Sequence, residues 1–174
     1  MMTLDGHCLC GAVQVQLARE PQVVNMCHCA DCQRRSGSPF GMALWLLEAD
    51  MTITGETCEF AHDSDKGRTL INRFCPTCGS TICFTAAINP GLIAIPAGLF
   101  ADPNTPPPLR SVFEERRHSW VTVPDGAVRL PRGRDGQAGG RVALKAGVAS
   151  SPSVRSANAA LCSRQCRSVK RKLR

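Results

Sequence analysis

Nine of the eleven cysteines lie in the first half of the chain, and most of them fall in three tight groups. Cys8-Leu9-Cys10 opens the sequence, Cys27-His28-Cys29-Ala30-Asp31-Cys32 follows, and Cys75-Pro76-Thr77-Cys78 stands well downstream. Cysteines at i and i+2 do not readily reach disulfide geometry, whereas two thiolates on one tight turn both face a zinc ion at about 2.3 Å. If the pair with one intervening residue meets the pair with two, Cys8, Cys10, Cys75 and Cys78 close a four-thiolate tetrahedron. Cys27, Cys29 and Cys32 then make a second zinc site with three ligands. Its fourth position is either open to a small molecule or closed by another residue, His28 or Cys58 being the candidates.

Composition supports metal over disulfides. Eleven is an odd number, and residues 1–6 carry neither the basic patch nor the apolar run of a secretory signal. A cytoplasmic address follows as the expectation, and there thiols are kept reduced or metal-bound. No stretch approaches the roughly 18 consecutive apolar residues of a membrane span, so a membrane role is not expected.

The net charge of +7 hides two unlike segments. Residues 129–174 hold twelve Lys or Arg against one acid, Asp135, while residues 1–128 hold nine basic against thirteen acidic residues. The basic segment has no Ile, Met, Phe, Trp or Tyr. Low hydrophobicity with like charge cannot offset the entropy of ordering, so 129–174 reads as a disordered basic tail and 1–128 as the folded domain.

Within the domain the pattern is one of short strands. Ala12–Leu17 alternates apolar and polar, and Phe40–Leu47 is an apolar run of strand length. Met51–Thr54 and Cys58–Ala61 read as a pair of strands around Gly55-Glu56, and His62–Gly67 as a polar turn. Thr69–Phe74 and Thr81–Phe84 flank the Cys75-x-x-Cys78 turn as a zinc-ribbon-like hairpin. Leu92–Ile95 adds a strand, and Val112–Glu115 with Ser119–Val121 completes the body. Only Ala30–Arg35 suggests a helical turn. The fold class is therefore all-β.

Four motifs in this order carry a resemblance: Gly6-x-Cys8-x-Cys10-Gly11, Cys27-His28-Cys29-x-x-Cys32-Gln33, Ser36-Gly37 and Arg73-Phe74-Cys75-x-x-Cys78-Gly79-Ser80. Together they resemble the glutathione-dependent formaldehyde-activating enzyme family, of β-tent fold and related to the centromere protein V domain and to a Rab chaperone. The resemblance implies a structural zinc on Cys8, Cys10, Cys75 and Cys78, and a second zinc on Cys27, Cys29 and Cys32 where substrate reacts. It implies a carbon–sulfur lyase that forms or breaks a thiol–aldehyde adduct of the S-hydroxymethylglutathione kind, with glutathione and an aldehyde as partners.

For such a reaction the three middle cysteines are the expected catalytic group. Arg34, Arg35 and Arg73 are candidates to fork the carboxylates of the thiol, since guanidinium matches carboxylate geometry. Ser36, with Asp31 and Gln33, is a candidate for hydrogen bonds at the cluster. Cys58, Cys83, Trp45 and Trp120 read as core residues, and His7, His62 and His118 carry no pattern.

The competing class is a zinc-stabilised binding module, for a protein or, through Lys170-Arg171-Lys172 and its neighbours, for nucleic acid. A binding module has no use for an incomplete coordination shell, so the three-cysteine cluster favours the enzyme. Cys162-x-x-x-Cys166 has no second pair to complete a metal site.

Overall fold

The computed structural model describes residues 4–64 and 67–133. Two β-sheets face each other across one core. The smaller holds β1 (Leu4–His7), β2 (Gln14–Leu17) and β5 (Met51–Thr54). The larger is built from β3 (Val23–Cys27), β4 (Gly41–Leu47), β6 (Cys58–Asp63), β7 (Thr69–Phe74), β8 (Thr81–Ala86), β9 (Leu92–Pro96), β10 (Arg110–Val112) and β11 (Val128–Leu130). The sheet orders are β1-β2-β5 and β11-β10-β3-β4-β9-β8-β7-β6. One helix, α1 (Ala30–Ser36), follows β3. The all-β, β-tent expectation holds, and no helix among the described residues is long and apolar enough to cross a membrane.

Alternation along the strands decides what each face does, because successive side chains leave opposite sides of the sheet. In β4, Leu44 and Leu46 enter the core between the sheets, where Val15 and Leu17 of β2 and Ile93 and Ile95 of β9 meet them. Burying each such side chain contributes roughly 1.5–3 kcal/mol. Ala43 and Trp45 leave the opposite face and join Phe84, Ala94 and Leu70 in a separate apolar cluster. That outer cluster, and not the main core, floors the candidate site.

The sequence pattern located most strands but not all their partners. β1, β3 and β11 were not expected. β5 and β6 do not pair around Gly55: β5 pairs antiparallel with β2, and β6 with β7. Gly55 instead carries the chain from one sheet to the other at φ 107°, where a Cβ would lie 2.3 Å from the Ala12 carbonyl oxygen. Ser119–Val121 forms no strand, and Trp120 is exposed rather than in the core.

The expected boundary after residue 128 cuts through β11, which pairs parallel with β10. Leu130 is buried, and Arg132 Nε lies 3.2 Å from Glu115 Oε2, so the described body continues to residue 133. From residue 134 on, the expected basic tail lies outside the described residues, together with Cys162, Cys166 and the run Lys170–Lys172.

Candidate metal centres and the adjoining cavity

Two turns build the first cysteine group. The loop between β1 and β2 is closed by Gly11 N–H donating to the Cys8 carbonyl and Cys8 N–H donating to Val13 O, both at 2.9 Å. The β7–β8 turn is closed by Cys75 N–H to Ser80 O at 2.9 Å. Leu9 N–H donates to Ser80 Oγ at 3.1 Å and ties the turns together. The sulfurs of Cys8, Cys10, Cys75 and Cys78 consequently gather within 4.8 Å of one another, with Cys8–Cys10 at 3.5 Å and Cys10–Cys75 at 3.7 Å. Tetrahedral zinc with 2.3 Å bonds needs sulfurs about 3.8 Å apart. Donor set and spacing therefore fit zinc, and no disulfide joins any described cysteine.

The second group forms where β3 ends and α1 begins. Cys27 is the last residue of β3, Cys29 is the N-cap of α1, and Cys32 lies in the first turn. Cys29 Sγ accepts from the Cys32 backbone N–H at 3.4 Å and lies 3.5 Å from Cys27 Sγ. The three sulfurs meet within 4.8 Å, and among the described residues no His, Asp, Glu or further Cys joins them. The donors again fit zinc, with three thiolates from the chain.

Charge is shared unequally in this trio. Hydrogen bonds from Cys27 and Cys29, helped by the Arg35 guanidinium, hold the Cys32 thiol well below its ordinary value. Arg35 Nη2 donates to Cys32 Sγ at 3.7 Å. Cys27 is pushed up, first because its proton bonds Cys29 and then Cys32, and further by burial. Gly41 leaves room for this arrangement, since a Cβ there would lie 3.1 Å from Cys32 Cβ and 3.3 Å from Arg35 Nη2.

His28 is neither ligand nor surface residue. It is fully buried, with Nε2 3.1 Å from Ser111 Oγ and 3.7 Å from Glu114 Oε1. Burial lowers its pKa, favouring the neutral ring. Its backbone N–H donates to Val112 O at 3.0 Å, and its carbonyl accepts from Gln33 Nε2 at 2.8 Å. The loop carrying Cys27 and Cys29 is thus pinned on three sides. Ser111 donates to Glu114 in a short hydrogen bond, and Arg117 Nε bonds Glu114 Oε2 at 3.0 Å. Sequence reasoning missed Ser111 and Glu114, which lie about 80 residues from the cluster and reach it only because β10 pairs parallel with β3.

Glu114 yields a pH-dependent prediction. Burial by itself raises its pKa, but the Ser111 hydroxyl and the Arg117 guanidinium outweigh it and hold the carboxyl below 4.5. A depressed folded-state value contributes stability that is complete above the unfolded value and is lost as pH falls through the folded one. In urea unfolding at neutral pH, Glu114→Gln is expected to cost about 1.5–3 kcal/mol, as for hydrogen bonds to a charged group. The gap to the wild type should close below the ordinary carboxylate value. A constant gap across that range would refute the account.

A cavity of about 210 Å³ adjoins the trio, with Cys27, Cys29, Cys32, Arg35 and Asp31 on one side and Trp45, Leu70, Asn72 and Phe84 on the other. His62 closes the rim, its Nε2 3.9 Å from Asp31 Oδ2. Of the four residues expected to touch substrate, only Arg35 lines this cavity. Arg34, its helical neighbour, is exposed. Ser36 Oγ donates to Cys32 O at 2.8 Å and so holds the helix end. Arg73 leaves the other face of β7 and pairs with Glu59 at 2.9 Å. Cys58 and Cys83 are buried in the apolar interior, and burial pushes the Cys83 thiol up to about 11.

Comparison with known proteins gives a matching family and similar solved structures. The profile of the family described as "Glutathione-dependent formaldehyde-activating enzyme" matches residues 3–116. No curated protein matches. The crystal structure of a Rhodobacter sphaeroides protein is similar at 19% identity and a TM-score of 0.43, covering 72% of this chain and 98% of its own.

Proposed function

Because the chain belongs to the glutathione-dependent formaldehyde-activating enzyme family, we propose that it is a carbon–sulfur lyase that makes or breaks a thiol–aldehyde adduct at Cys27, Cys29 and Cys32. The observation that carries this reading is the trio itself: three sulfurs within 4.8 Å, no fourth chain donor among the described residues, and an adjoining cavity. The quartet Cys8, Cys10, Cys75 and Cys78 is read as structural. A cytoplasmic setting, where thiols stay reduced, suits both.

Zinc held by the trio would supply the positive charge that keeps a bound thiol deprotonated and nucleophilic near neutral pH. The chain's own residues do the rest. The β3–α1 junction fixes the three donors, and the His28–Ser111–Glu114 contacts hold that junction from behind. Trp45 and Phe84 give the reacting carbon an apolar floor. Arg35, with its guanidinium carbon 3.7 Å from the Phe84 ring centroid, is placed to meet a carboxylate on the thiol.

Purified zinc-loaded protein mixed with glutathione and formaldehyde, with adduct formation followed by NMR, tests the reading. Arg35→Met is expected to raise KM for a carboxylate-bearing thiol by roughly tenfold or more, the loss of one charged hydrogen bond. KM for a thiol without a carboxylate should move less. Equal effects on both thiols would remove Arg35 from the carboxylate role.

A further inference from the structure

The wall of the cavity opposite the trio is more apolar than formaldehyde or glutathione requires. Formaldehyde has one carbon, and glutathione is rich in carboxylates and amides. Yet the outer face of the large sheet presents Trp45 edge-on to Phe84, with centroids 5.6 Å apart and planes at 82°, and Leu70 packs beside them. Polar groups share the lining on its other sides: Asp31 faces His62, Arg35 lies over Phe84 while donating to Cys32, and Asn25 offers a buried Oδ1 with no hydrogen-bond partner. An empty apolar cavity of about 150 Å³ is enough to admit benzene. The cavity here measures about 210 Å³.

From this wall we infer that the site takes an adduct carrying an aromatic or branched aliphatic group, which packs on Trp45, Leu70 and Phe84 while its sulfur lies at the trio. The inference rests on the thiol–aldehyde reading and specifies its substrate class. The reaction is balanced without a further reactant. The thiol sulfur forms a bond to the aldehyde carbon, the carbonyl π bond breaks, and the thiol proton ends on the oxygen; the reverse reaction undoes each change. An apolar pocket discriminates by roughly 10–200-fold per methylene, so the preference should be large.

Trp45 itself reports occupancy. The chain has two tryptophans, and the other, Trp120, is exposed, so Trp120→Phe in the zinc-loaded protein leaves Trp45 as the only indole. Phenylmethanethiol is expected to change Trp45 emission at concentrations at least tenfold below those needed with methanethiol. Ala86→Leu, which fills the cavity from its lining without removing core volume, should weaken phenylmethanethiol binding by about tenfold with zinc content retained. Turnover is then compared for phenylmethanethiol with formaldehyde, glutathione with phenylacetaldehyde, and glutathione with formaldehyde.

At least one aryl pair should exceed the last pair tenfold in kcat/KM, and the better one identifies which reactant carries the ring. Equal binding of the two thiols, no effect of Ala86→Leu, or fastest turnover with glutathione and formaldehyde would overturn the inference; in the last case the lyase reading stands. Tight phenylmethanethiol binding with no turnover of any pair supports the apolar ligand class and overturns the lyase reading instead.

Discussion

Replacing Cys75 by serine is expected to unfold the domain, not merely to slow a reaction. Cys8 and Cys10 sit on the turn of the small sheet, and Cys75 and Cys78 on a hairpin turn of the large one. A zinc ion held by the quartet would therefore staple the two layers. Cys8 and Cys75 are fully buried, so the site lies against the main core and not on a detachable loop. Zinc bound by such a set contributes about 10–16 kcal/mol in small zinc domains, whereas a whole domain is stable by only about 5–15 kcal/mol. Losing one thiolate forfeits enough of that to remove the margin. Circular dichroism and zinc content of Cys75→Ser should show loss of the cooperative thermal transition, and a strong chelator should do the same to the wild type. If Cys75→Ser melts within a few degrees of the parent, the quartet does not hold the sheets together.

Both cysteine groups were legible because their members are close in sequence. A pair two or three residues apart on a turn declares itself without knowledge of the fold, and only the meeting of Cys8 and Cys10 with Cys75 and Cys78 needed tertiary structure. Alternation located β2, and short apolar or turn-flanking runs located β4, β7, β8 and β9, for a similar local reason. What stayed hidden depends on pairing. Nothing in Met51–Thr54 says that it joins β2 and not the neighbouring β6, and nothing in Arg110–Val112, two residues upstream of the expected strand start, says that β10 runs parallel to β3. The Ser111 and Glu114 contacts to His28 follow from that pairing, so they were out of reach.

The expected arginines divide for geometric reasons. Successive residues on a helix point about 100° apart, so Arg34 faces solvent when Arg35 faces the cavity. On β7, Leu70 and Asn72 line the cavity, and Arg73 must leave the opposite face. Closeness in sequence to the cysteines raised all three, but only the strand and helix periods decide which side chain arrives. The same alternation sets Ala43 and Trp45 over the cavity while Leu44 and Leu46 fill the core. One strand thus serves stability with one face and the site with the other.

Cys29→Ser separates those two roles. Cys29 is the N-cap of α1, and its sulfur accepts the Cys32 backbone N–H. Serine is among the favoured N-cap residues, so the helix start and the fold should survive the change. Serine is a poor substitute as a zinc ligand, because its hydroxyl stays protonated where a thiol would ionise. The trio falls to two thiolates while the quartet is untouched. Zinc content is expected to drop from two per chain to one, with the melting temperature held within a few degrees. Adduct formation should fall by roughly 100-fold or more, since outer partners of a metal site alone are worth 10–100-fold. Should the variant keep two zinc ions, or turn over within a factor of two of the parent, Cys29 is neither ligand nor catalyst. Should it lose both ions and unfold, the division of labour between the two cysteine groups is wrong.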